Sequence, residues 1–150
     1  MITQPTIAPL LRILSRDLRT IVAPALSDRG VVVTVQMIAA MLDALAVRSD
    51  HEREWMREET RAVLALAAQI LQSHPDAHEL RDAVAKTTAV NDDDLAPRYE
   101  RAGDVLSCAA EAALRAGDAA ADAQVRAVLQ LRLDHEVAMI GERFQPIGRS

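Results

Sequence analysis

The stretch "VVVTVQMIAAMLDALAV", residues 31–47, decides the fold class. Its opening valines suit a β-strand, but no second segment of the chain reads as a strand to pair with them. As a helix it is apolar almost all round, which marks an element surrounded by other helices. The uncharged run within it, Val31–Leu42, is 12 residues and contains Gln36, which is short for a membrane span. We therefore read it as the first half of a long core helix, Val31 to Gln72.

Working outward, "TRAVLALAAQILQ" (60–72) is apolar again, and the polar segment "RSDHEREWMREE" (48–59) lies between the two halves. Upstream, Ile7, Leu11, Leu14, Leu18 and Ile21 recur at helical spacing and predict a first helix from Thr6 to Ala23 with one buried stripe. Pro24 and "SDRG" end it. Downstream, Ser73 and Asp76 form a capping-box pattern for a short third helix over 74–87. "TTAVNDDD" (87–94) reads as a loop. A fourth helix runs from Asp93 or Asp94 to Gly117, and a fifth follows to Phe144. The expectation is a single all-α domain, an up-down bundle of four long helices and one short one, with a loose tail over 144–150.

Composition agrees. Half of the 150 residues are apolar, only 2% are aromatic, and the formal charge is −5. Alanine and leucine favour helix, while small side chains bury little area each. An acidic chain without a basic stripe argues against nucleic-acid binding. The arginines Arg12, Arg16 and Arg19 share a face with Asp17 and read as solvated. The lone Cys108 reads as a small buried hydrophobe. The start lacks a secretory pattern, so a cytoplasmic, soluble protein with no membrane segment is expected.

Two histidine patterns carry chemistry. In "SHPDAHEL" (73–80), His74, His78 and Asp82 fall on one helical stripe, about 115° from the apolar face at 100° per residue. They face solvent, and a helix start is the better reading than a metal site. The tripeptide "DHE" occurs at 50–52 and 134–136. If helix two is continuous, its stripe passes through Arg48, His51, Glu52, Trp55 and Glu59. Charges on a core-facing stripe need partners, so these residues with His135 are the candidate ligand-binding group. His51 and Trp55, one turn apart, would let the imidazole rest on the indole. The competing reading is a helix break, with Ser49 as cap and Glu52 completing a capping box. His51, Glu54 and Glu58 share a flank that His135 could complete as a mononuclear site, although no metal or other cofactor is expected. Glu-x-x-His, His-Glu-x-x-His and Cys-x-x-Cys are absent from the sequence.

Helix five predicts two apolar stripes. Val125, Leu129, Leu133, Val137, Ile140 and Phe144 form one, and Val128, Leu131, His135, Ala138 and Met139 the other. A helix apolar on two sides needs two neighbours, or one neighbour and a second subunit. The function expected is a self-associating (dimeric) accessory or interaction module with a possible protein partner. The alternative is a small-molecule or metal-binding enzyme using the polar band of helix two, whose catalytic residues the sequence leaves unknown.

The segments "IVAPALSDRG", "MIAAMLDALAVR" and "HEREWMREE" resemble small helical proteins of actinobacteria and related bacteria. Those are found beside acyl-CoA dehydrogenases and phosphotransferase-like proteins. The resemblance covers about the first 75 residues and implies an accessory role near acyl or coenzyme A metabolism, with no catalytic residues to carry over.

Overall fold

A computed structural model describes residues 7–140. The described chain is all-α and contains no strand: α1 Ile7–Asp17, α2 Arg29–Ser73, α3 His78–Thr88, α4 Leu95–Ala116 and α5 Ala119–Ile140. Contacts divide it into two compact units. One comprises residues up to Glu52 and from Glu136 on; the other is Arg53–His135.

In the first unit, α1 widens into a π-helical turn over Leu18–Val22, where the Ala23 N–H reaches the Leu18 carbonyl. A short 3₁₀ turn over Ala23–Ala25 follows. The irregularity comes just before Pro24, whose ring cannot supply the next helical N–H. Asp28 then starts α2, its carboxylate accepting from the Gly30 and Val31 N–H groups at 2.7 and 3.2 Å, as an N-cap does. The helices meet through small residues. Ala8 and Ser15 of α1, and Ala39 and Ala46 of α2, are all at most 2% exposed. Ser15 Oγ donates to the Ala39 carbonyl at 2.9 Å, so the backbones approach closely. Arg19 donates to Ser15 Oγ at 2.6 Å and to Asp43 at 2.7 Å. Arg12 pairs with Asp50 at 2.6 Å. These arginines thus tie α1 to α2 rather than standing free in solvent.

That packing overturns one expectation. Within this unit Ile7, Leu14 and Ile21 are exposed and Leu11 and Leu18 half-buried, so only part of the leucine–isoleucine stripe of α1 turns inward, beside the fully buried line of small residues. On α2, Val31, Val33, Met37, Ile38, Met41 and Leu45 are likewise exposed. α2 also carries an 18-residue window of mean hydropathy 2.0, only 17% buried. By length and composition it could cross a membrane; the 12-residue uncharged run understated this, because a longer window tolerates a single charge such as Asp43.

The second unit has a conventional core. Val63, Leu66, Ala67 and Ile70 of α2, Leu80 of α3, Val105, Leu106 and Ala109 of α4, and Ala121, Val125 and Val128 of α5 form one buried cluster. Burying each of the larger aliphatic side chains stabilises by about 1.5–3 kcal/mol. Arg115 of α4 pairs with Glu79 of α3 at 2.6 Å, and Arg101 donates to the Lys86 carbonyl at 2.8 Å.

Two boundaries differ from expectation. α2 is unbroken through Ser49, so the Ser49–Glu52 capping box is not used; Arg48 instead pairs with Glu52 one turn on, at 2.5 Å. At its far end α2 continues through Ser73, and the His74 N–H still reaches the Ile70 carbonyl at 2.7 Å. Pro75 stops it there, and α3 begins only at His78, with Ala77 at the N-cap position. Ser73 and Asp76 therefore do not box that helix, and His74 is not on the same helix as His78 and Asp82. Its Nε2 lies 3.0 Å from Asp118 instead.

On α5, Val125 and Val128 are buried while Leu129, Leu133 and Val137 are exposed. The two predicted stripes do not divide as drawn: Val125 belongs with Val128 and His135. The far end of the predicted helix, with Phe144 and the tail, lies outside the described residues.

Candidate functional site

The buried stripe of α5 runs Ala121, Val125, Val128 and then Arg132 and His135, at spacings of four and three. That of α2 runs back from Ile70 and Val63 to Glu59, and that of α4 back from Ala102 to Tyr99. Three core-facing stripes thus exchange apolar for polar side chains at one end of the second unit's core, and these side chains meet.

Glu59 is 5% exposed and lies at the centre. Its Oε1 is 2.7 Å from His135 Nδ1, which donates because a carboxylate can only accept. Its Oε2 accepts from the Tyr99 hydroxyl at 2.6 Å and from Arg132 Nε at 3.1 Å. Arg132 also donates to the Tyr99 oxygen at 3.2 Å, with its guanidinium carbon 5.5 Å from the Tyr99 ring centre. The His135 ring stacks on Trp55, centroids 4.9 Å apart and planes 13° from parallel. His135 Nε2 stands 3.6 Å from the Glu58 carboxylate.

A buried carboxylate is stable only when its charge is matched and its oxygens are bonded; here both conditions hold. Burial and the hydrogen bond to Glu59 push the Tyr99 phenol above its ordinary range. Burial disfavours charge on Arg132, but the hydrogen bond to Tyr99 and the negative Glu59 outweigh it and hold the guanidinium above its usual value. The result is a neutral phenol and a fixed cation around one carboxylate. A carboxylate orienting an imidazole through Nδ1 also leaves Nε2 as the atom able to exchange a proton.

Of the residues expected to form a site, Trp55, Glu59 and His135 belong to this group, with Trp55 half-buried. Arg48 and Glu52 pair with each other in the first unit, and the Glu52 hydrogen bond keeps the Arg48 guanidinium above its usual value. His51 is exposed, and the His135 imidazole stacks on Trp55. Among the described residues no group of three or more His, Cys, Asp or Glu side chains could hold a metal ion. Tyr99 and Arg132 were missed. Arg132 falls four residues after Val128 on the buried stripe, a signal legible once that stripe is assigned; Tyr99, three before Ala102, carries the same signal on α4. No family model, curated protein or solved structure matches this chain.

Proposed function

We propose that the chain is a self-associating accessory module, in which the α1–α2 hairpin of one copy is covered by that of a second. The observation that carries this reading is the exposed apolar face of the first unit. At 100° per residue, Val31, Val33, Met37, Ile38, Met41 and Leu45 sweep roughly 160° of α2, on the side away from Ala39 and Ala46. Val31, Ile38 and Leu45 repeat every seven residues with Thr34 and Met41 between them, the spacing of a helix-packing seam. α1 adds Ile7, Leu10, Ile13, Leu14 and Ile21, all more than 40% exposed.

A patch of this extent on a free monomer is rare. Two such hairpins back to back make a four-helix arrangement that buries it, and a stable interface needs about 800 Å² per partner. A second protein surface is favoured over lipid by the charges beside the seam. Arg12, Arg16, Asp17 and Arg19 lie along α1 and its π-helical turn, and the Arg19–Asp43 pair falls within the apolar window. Charges at bilayer depth are costly.

Ile38→Glu tests this. Ile38 is 44% exposed, so the variant should keep its helical circular dichroism. By size exclusion with light scattering it should shift from twice 16.3 kDa to 16.3 kDa. Leu114→Glu, at an 81% exposed residue of α4, should leave the larger species intact. If Ile38→Glu has the same mass as the parent, this seam is not the interface.

A further inference from the structure

A second cluster, separate from both the Glu59 group and the apolar face, lies where α2 passes the start of α4. Arg57, Thr60, Arg61 and Leu64 of α2, with Asp92, Leu95 and Arg98, line a cleft of about 220 Å³. Three guanidiniums stand there against one carboxylate, in a chain whose formal charge is −5. The carboxylate is Asp92, 86% exposed, which pairs with Arg98. Arg57 and Arg61 are one turn apart, and Arg61 Nε bends back to the Arg57 carbonyl at 3.2 Å. Neither is ion-paired to a carboxylate among the described residues, and like charges at this spacing repel.

The independent observation concerns hydrogen bonds. Among the described residues, two buried side-chain polar atoms lack a partner, Thr60 Oγ1 and Arg98 Nε. Both residues line this cleft. Thr60 is 4% exposed. Thr20, Thr34, Thr87 and Thr88 each donate to the carbonyl four residues back; Thr60 does not. A buried hydroxyl without a partner costs free energy unless something else satisfies it. The cleft also borders the first turn of α4, where Asp94 makes no side-chain cap and the helix dipole is positive.

We propose that this cleft binds the phosphate of a small phosphorylated molecule. Arg57, Arg61 and Arg98 match its charge and oxygen geometry, the Thr60 hydroxyl donates to it, and Leu64 with Leu95 receives a short apolar stem. The volume lies below the roughly 300–1,000 Å³ of sites for drug-sized ligands, so a phosphate and its nearest atoms are what fits.

Isothermal titration calorimetry with phenyl phosphate at constant ionic strength tests the site, with phenol as the probe lacking phosphate. Saturable one-to-one binding of phenyl phosphate, with none of phenol, is expected. The double variant R57Q/R61Q, at exposed positions, should weaken it by about 10-fold or more, the size expected for charge-assisted hydrogen bonds. Thr60→Val should also weaken it several-fold while leaving the unliganded melting temperature equal or higher, because it removes an unpartnered hydroxyl. A merely structural Thr60 would lower that temperature and leave affinity alone. No saturable binding of phenyl phosphate at millimolar concentration, or equal affinity in parent and both variants, overturns the proposal.

Discussion

Glu59 shows how one residue can organise a region. Its carboxylate is satisfied by side chains from α4 and α5, so removing its charge strands Arg132. We expect Glu59→Gln to destabilise the protein by about 2–4 kcal/mol in urea unfolding, somewhat under the 3–5 kcal/mol typical of a broken fully buried pair, since Arg132 is 34% exposed. Glu58→Gln, at a 51% exposed side chain, should cost less than about 0.5 kcal/mol. The stacked pair gives an optical readout. His135→Ala removes the ring that lies on Trp55 and should therefore shift the Trp55 emission. At the alkaline end, the raised pKa of Tyr99 means that the folded state holds the phenolic proton longer than the unfolded chain. Its contribution is full below the ordinary tyrosine range and is lost as pH rises through the raised value. The stability gap between parent and Tyr99→Phe should therefore close as pH climbs through that range, as read by thermal melts. Trp55, Glu59 and His135 were legible because a polar residue on a core stripe needs partners. Tyr99 was missed because the buried stripe of α4, on which it stands three residues before Ala102, had not been assigned from the sequence.

At the scale of elements, the joint between α4 and α5 is set by two adjacent residues. Gly117 takes φ +64°, the left-handed conformation that closes α4, and Asp118 caps α5 by accepting from the Ala120 and Ala121 N–H groups, each at 3.0 Å. A Cβ on Gly117 meets nothing, so Gly117→Ala should cost about 1 kcal/mol through backbone conformation alone. Those backbone bonds, with His74, hold the Asp118 carboxyl below its usual value. Its contribution is thus present above the ordinary aspartate range and lost as pH falls through the lowered one. Helix five's start was readable from Gly117 and the short link. Helix three's was not, because the Ser73 capping signal competes with α2 simply continuing until Pro75 removes an N–H. The buried face of α1 was misread for a related reason: periodicity locates an apolar stripe without saying whether it faces this chain or another. Ala8, Ser15, Ala39 and Ala46 carry no such signal, yet they set the close approach, so Ala39→Leu should destabilise by about 1–3 kcal/mol through overpacking.

For the whole molecule, the all-α class followed from composition and period, while the distribution of burial did not. The unit spanning Arg53–His135 encloses an aliphatic core, whereas the N-terminal hairpin is joined by small residues and ion pairs and leaves many of its large apolar side chains exposed. Such a hairpin gains most of its burial only against another surface, and a second copy offers the same seam in return. Sedimentation equilibrium of the unmodified protein from low to high micromolar concentration tests this directly. A mass twice 16.3 kDa, falling towards the monomer only on dilution, is the expected result. A single 16.3 kDa species at every concentration would contradict the self-associating reading.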